Sequence, residues 1–131
     1  MPDYNLIFET IQKGHPGDPT AAYKAAKQEK LPDLACEFLA LWQIWTVCST
    51  TFRDLCERIS KDTGLPVFIR AYALVSAGDT LRRRDERSLR NNYYDRAMRL
   101  ASVADMPRQQ FERIRDLCEA GRTASATTVA I

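Results

Sequence analysis

The stretch from Leu34 to Cys48 constrains the fold more than any other part of the chain. It holds both tryptophans and two of the four cysteines. At 100° per residue, Leu34, Phe38, Leu41, Trp42 and Trp45 share one side of a helix. Leu39, Ile44 and Val47 fall on the other sides, and Glu37, Gln43 and Thr46 do not line up into a polar stripe. A helix that is apolar nearly all round must be covered on several sides, so residues 34–48 are expected to form a central core helix. Val67–Ala77, where Arg70 is the only charge, is expected to be a second buried helix beside it.

The remaining segments supply the cover. Asp3 can cap a first helix whose Tyr4, Ile7, Phe8 and Ile11 recur at helical spacing, with Gly14 ending it. Asp18 and Pro19 mark the start of an alanine-rich second helix running to about Lys30. After Ser49-Thr50-Thr51, Phe52, Leu55, Cys56 and Ile59 form one face of a further helix, with Asp54–Arg58 and Glu57–Lys61 spaced as ion pairs on the other. Gly64 closes it. Gly78-Asp79-Thr80 is expected to break the chain, and a long helix over 80–104 follows, with Leu89, Tyr93, Ala97, Leu100 and Ala104 on its inner face. A last helix with Phe111, Ile114, Leu117 and Cys118 inside is expected to end at Gly121, leaving 122–131 as a flexible tail. The fold class is therefore all-α: one domain over 1–121, a bundle of six to seven helices. No alternation of β-branched residues argues for strands. A length of 131 residues suits a single domain.

The net charge of +2 implies no generic attraction to nucleic acid or anionic membrane, but its distribution is uneven. Residues 1–66 carry 7 basic and 9 acidic side chains, against 12 and 8 in residues 67–131. Eleven of the 14 arginines lie at or beyond Arg82. On a continuous helix Arg83, Arg87, Arg90 and Tyr94 would share one face, with Arg82 and Arg84 beside them. Five arginines against Asp85 and Glu86 leave +3 over Arg82–Arg90. Such a face suits an acidic protein surface, or phosphates with a base stacked on the phenol. The opposing reading is a solvated helix that neutralises itself through Arg82–Glu86 and Glu86–Arg90.

Catalysis has little to stand on. His15 is the only histidine and sits in a Pro/Gly turn, and no nucleophile motif or phosphate-cradling glycine loop occurs. Cysteines separated by 12, 8 and 62 positions do not have zinc-finger spacing. No metal or other cofactor is expected. Residues 51–74 have the outline of a DNA-reading helix-turn-helix, but Val67, Phe68 and Ile69 would occupy the base-contacting positions, so a plain αα corner is expected. Glu37, a carboxylate in an apolar helix, is expected to pair with Arg70. Trp42 and Trp45, if not wholly covered, offer a surface for a second copy of the chain. No leader or membrane-spanning run is visible, which points to a cytoplasmic protein with reduced thiols. The expectation is a non-enzymatic interaction protein, an adaptor or inhibitor acting through the arginine segment, with nucleic-acid binding through the same residues as the alternative. Its size and lack of catalytic groups also suit a protein carried by a phage or plasmid.

Overall fold

The computed structural model describes residues 2–103 and 105–130, with side chains described as far as Ala124. Among them are seven α-helices and no strands: α1 Tyr4–Gly14, α2 Pro19–Gln28, α3 Asp33–Trp42, α4 Ser49–Lys61, α5 Val67–Asp79, α6 Arg87–Val103 and α7 Arg108–Ala130. Single 3₁₀ turns at Trp45–Val47 and Arg84–Glu86 precede α4 and α6. None of these helices is long and apolar enough to cross a membrane.

The centre of the bundle is α5, not the 34–48 stretch. Ten of its 13 residues are buried, from Phe68 to Gly78 with only Arg70 half-exposed among them. α4 and α6 flank it, α7 lies against both α5 and α6, and the α2–α3 pair packs on α4 with α1 bridging to α7. Phe8, Phe38, Phe52, Phe68 and Tyr72 form a ring cluster with centroids 5.3–5.9 Å apart, joining α1, α3, α4 and α5. Burying each of these rings contributes about 2–3 kcal/mol from area alone.

The apolar run breaks at Gln43. α3 ends at Trp42: Gln43 keeps helical dihedrals, the backbone leaves the helix at Ile44 (φ −131°, ψ 24°), and the Gln43 side chain serves α1. Its Nε2 donates to the carbonyls of Ile11 and Gln12 at 3.4 and 3.1 Å, and its Oε1 accepts from the Gly17 N–H at 3.1 Å. Those carbonyls belong to the last turn of α1 and have no partner within the helix. The β-branched Ile44, Thr46 and Val47 resist continuing the helix, and Val47 ends 82% exposed. Trp42 and Trp45 are half-buried against the core. Glu37 is exposed and is not paired with Arg70, whose Nε instead donates to the Ser60 carbonyl at 3.0 Å.

Other boundaries follow local chemistry. Asp3 and Asp18 cap α1 and α2 by accepting from the N–H groups of Leu6 and Ala21. α2 closes on Lys30 in the left-handed region (φ 60°), so that the Leu31 N–H reaches the Ala26 carbonyl. The expected break over Gly78-Asp79-Thr80 is present, with α5 ending at Asp79 and Thr80 as its cap, whereas the expected stop at Gly121 is absent because α7 continues through it. α7 therefore occupies most of the expected tail, of which Ile131 lies outside the described residues.

Candidate functional site

The two glycines are packing positions for one ring. A Cβ on Gly78 would stand 2.9 Å from Tyr94 Cε1, and one on Gly121 would stand 2.5 Å from Tyr94 Cζ. Neither glycine has positive φ, so neither serves as a turn. The gap they leave admits Tyr94 to the core at 0% exposure, where its hydroxyl donates to Asp79 Oδ1 at 2.6 Å. Burial pushes the Asp79 carboxyl above its ordinary range, against the pull of the Tyr94 hydroxyl, and burial beside Asp79 pushes the Tyr94 phenol up in turn. Arg122 lies over the outer face of the ring at 5.6 Å and pairs with Asp95.

This arrangement dismantles the expected helical face. α6 begins only at Arg87, and Arg83 is extended (φ −73°, ψ 151°). The chain needs these residues to turn back from α5 into α6. The turn is closed by the Glu86 N–H donating to the Arg83 carbonyl and the Arg83 N–H donating to Glu86 Oε1, both at 3.0 Å. Arg90 is 3% exposed and its Nη1 donates to the Leu81 carbonyl at 2.8 Å. Arg90 and Tyr94 are therefore interior posts, and neither presents itself to a partner. The buried side of α6 is Arg90, Tyr93, Tyr94, Ala97 and Ala101, while Leu89 is 52% exposed.

Arg82, Arg83, Arg84 and Arg87 are exposed on the turn that those posts hold. Arg83 pairs with Asp85 at 3.1 Å, and Glu86 spends its carboxylate on the backbone. Neither the Arg82–Glu86 nor the Glu86–Arg90 pair forms; Arg84 and Arg87 have no ion-pair partner among the described residues. Four guanidiniums thus project from six consecutive residues whose backbone is pinned at Leu81, itself 1% exposed, and at Arg90.

Two further features escape a sequence reading. Lys61, Arg70, Arg96 and Arg99, from α4, α5 and α6, line a groove of about 380 Å³ together with Leu74, Leu100 and the exposed Val103. Arg96 and Lys61 share Glu57, with two Arg96 bonds at 2.7 and 3.0 Å. The Arg96 bonds hold the Glu57 carboxyl down to about 2. The i,i+3 spacing of Arg96 and Arg99 was the only signal, and it is weak. The second feature is a cleft of about 260 Å³ between α1, α5 and α7, walled by Gln12, Tyr72, Asp79 and Arg113 with Trp42 at its edge. Here the signal was Gln12 on the apolar face of α1, one turn after Phe8.

Groups suited to nucleophilic chemistry are poorly placed. Burial raises the thiols of Cys36, Cys56 and Cys118, the last to about 12, which keeps them protonated at neutral pH. No cluster of metal-ligating side chains occurs among the described residues. Phe68 and Ile69 are buried in α5, so the αα corner of α4 and α5 offers them to no groove of DNA. No family model matches the chain, and no curated protein or solved structure matches it.

Proposed function

We propose that the protein is a non-catalytic interaction module, an adaptor or inhibitor that docks an acidic protein surface on Arg82, Arg83, Arg84 and Arg87. The observation that carries this reading is the exposed guanidinium group on a backbone anchored from inside. Holding the turn in place before binding lowers the ordering cost of association. Guanidiniums form bidentate pairs with carboxylates, and a surplus of them speeds encounter with an acidic surface. Exposed pairs contribute only about 0.2–1 kcal/mol each, so binding depends on several acting together. Arg90 and Tyr94 serve this site by holding the turn. The nucleic-acid alternative has lost its stacking group, because Tyr94 is in the core.

The test is charge reversal at the exposed positions only. Arg83→Glu, Arg84→Glu and Arg87→Glu together abolish partner capture from host extract while the melting temperature stays unchanged. Capture that survives the triple variant removes the site from consideration. Binding of duplex or single-stranded DNA or RNA tighter than about micromolar at moderate salt transfers the arginines to the nucleic-acid reading.

A further inference from the structure

The groove between α4, α5 and α6 carries cations that the fold uses only in part. Lys61, Arg70, Arg96 and Arg99 line it, and no acidic side chain does. Arg96 is committed, giving both terminal nitrogens to Glu57. The Arg70 Nε donates to the Ser60 carbonyl, a last-turn group of α4 with no partner inside its helix. That bond fixes the guanidinium and leaves its two terminal nitrogens without a partner among the described residues. Arg99 is exposed and has no hydrogen-bond or ion-pair partner among them. Lys61 reaches Glu57 only at 3.7 Å, with its side chain 74% exposed.

The same groove holds apolar surface. Leu74 is buried, Leu100 is half-buried, and Val103, at 84% exposure, is the barest large apolar side chain among the described residues. With Glu57 spent on Arg96, three cations still have free donors, so an occupant must bring more than one negative charge. It must also bring an aliphatic group to cover Leu100 and Val103. A nucleic-acid base finds nothing to stack on, because no lining side chain is aromatic. Tyr93, close by, is 7% exposed and lies under Arg96 at 5.3 Å.

We propose that this groove docks an acidic segment of a partner protein in which an aliphatic side chain is flanked by carboxylates. The carboxylates pair with Arg70, Arg99 and Lys61, and the aliphatic side chain covers Leu100 and Val103. Carboxylates accept from guanidiniums in bidentate pairs, and Arg70, already held by Ser60, loses little freedom in forming one. The site does not depend on the arginine turn.

The probe is a fluorescein-labelled peptide, Glu-Asp-Glu-Leu-Asp-Glu-Asp, titrated with the full chain by fluorescence anisotropy at about 150 mM salt, where charges far apart are screened. Binding should saturate with a dissociation constant of about 100 μM or tighter. The same peptide with serine for leucine should bind at least fivefold more weakly. Arg99→Glu should weaken binding of the leucine peptide at least tenfold, and Val103→Ser at least threefold. Both positions are exposed, so the melting temperature should stay unchanged. The control is Arg83→Ala/Arg84→Ala/Arg87→Ala, which removes more positive charge than Arg99→Glu yet should change affinity by less than threefold. No saturation up to about 500 μM protein overturns the proposal. Equal affinity for the two peptides, unaltered affinity in Arg99→Glu, or a loss in the control as large as in Arg99→Glu overturns it too. Single-stranded DNA bound more tightly than the peptide and lost in Arg99→Glu gives the groove to nucleic acid instead. Phosphatidylglycerol vesicles that retain the native chain but not Val103→Ser give it to a membrane.

Discussion

Tyr94→Phe removes one oxygen atom and tests the interior on which the arginine turn rests. In the native protein the hydroxyl donates to Asp79 at 2.6 Å, and the carboxyl is largely shielded from water. Deleting the donor leaves a buried acceptor unsatisfied. A hydrogen bond to a charged group contributes about 1.5–3 kcal/mol, so the loss should be about 2 kcal/mol. At about 3–5 °C per kcal/mol for a chain of this size, the melting temperature should fall by about 6–10 °C at pH 7. The pH dependence fixes the cause. Asp79 has a folded-state pKa raised by burial, so its protonated form favours folding. Its contribution is most favourable below the unfolded value near 3.9, and is lost as pH rises through that value to the raised one. Without the hydroxyl the folded value rises further, and the deficit of Tyr94→Phe should shrink on acidification. Gly121→Ala supplies the cross-check, since the new Cβ meets the Tyr94 ring and hydroxyl. Its cost, about 1–3 kcal/mol from overpacking, should be partly relieved in the Tyr94→Phe background. A melting temperature unchanged by Tyr94→Phe, a deficit that grows in acid, or additive effects with Gly121→Ala would refute the placement of Tyr94 in the core.

Three further outcomes are expected. Arg90→Glu puts a carboxylate where a guanidinium now serves the Leu81 carbonyl and should cost about 3 kcal/mol or more in chemical denaturation, whereas Arg87→Glu should change stability by less than about 0.5 kcal/mol. Glu57, held at about 2 by Arg96, contributes stability present above its unfolded value near 4.3 and lost as pH falls toward 2. Glu57→Gln should flatten that part of the acid-unfolding curve, and a Glu57–Arg96 double-mutant cycle should return about 1 kcal/mol after solvent screening. Phe38→Ala, which empties the middle of the ring cluster, should cost about 3–5 kcal/mol by urea unfolding.

Much of the fold was legible because its signals are local. Asp3 and Asp18-Pro19 announce helix starts by cap chemistry that needs no tertiary partner. The uninterrupted run after Val67 announces a helix buried on every side. The failures share one cause: residues whose role is set by a distant contact. Gln43 looked neutral within an apolar run, yet its side chain ties the end of α3 to carbonyls about thirty residues earlier. Gly121 looked like punctuation because glycine serves both turns and close approaches, and spacing cannot tell the two apart, whereas α5 does end one residue past Gly78. Arg90 looked exposed because arginine usually is. Placing it outside rotated the inner face of α6 by one residue, toward Leu89 and away from Tyr94. Glu37 erred the opposite way, a charge assumed buried because its neighbours were apolar. The arginine-rich composition of the site was visible in sequence, but which guanidiniums reach solvent depends on where α6 begins.

The most direct test of the interaction reading asks where the partner touches. A photo-crosslinking amino acid placed singly at Arg84, at Arg87, and at the exposed Glu29 of the α2 terminus can be activated in the native host. Positions 84 and 87 should give a shared adduct with one acidic protein, and position 29 should give none. Adducts to nucleic acid from positions 84 and 87, or the same protein adduct from all three positions, would contradict that reading.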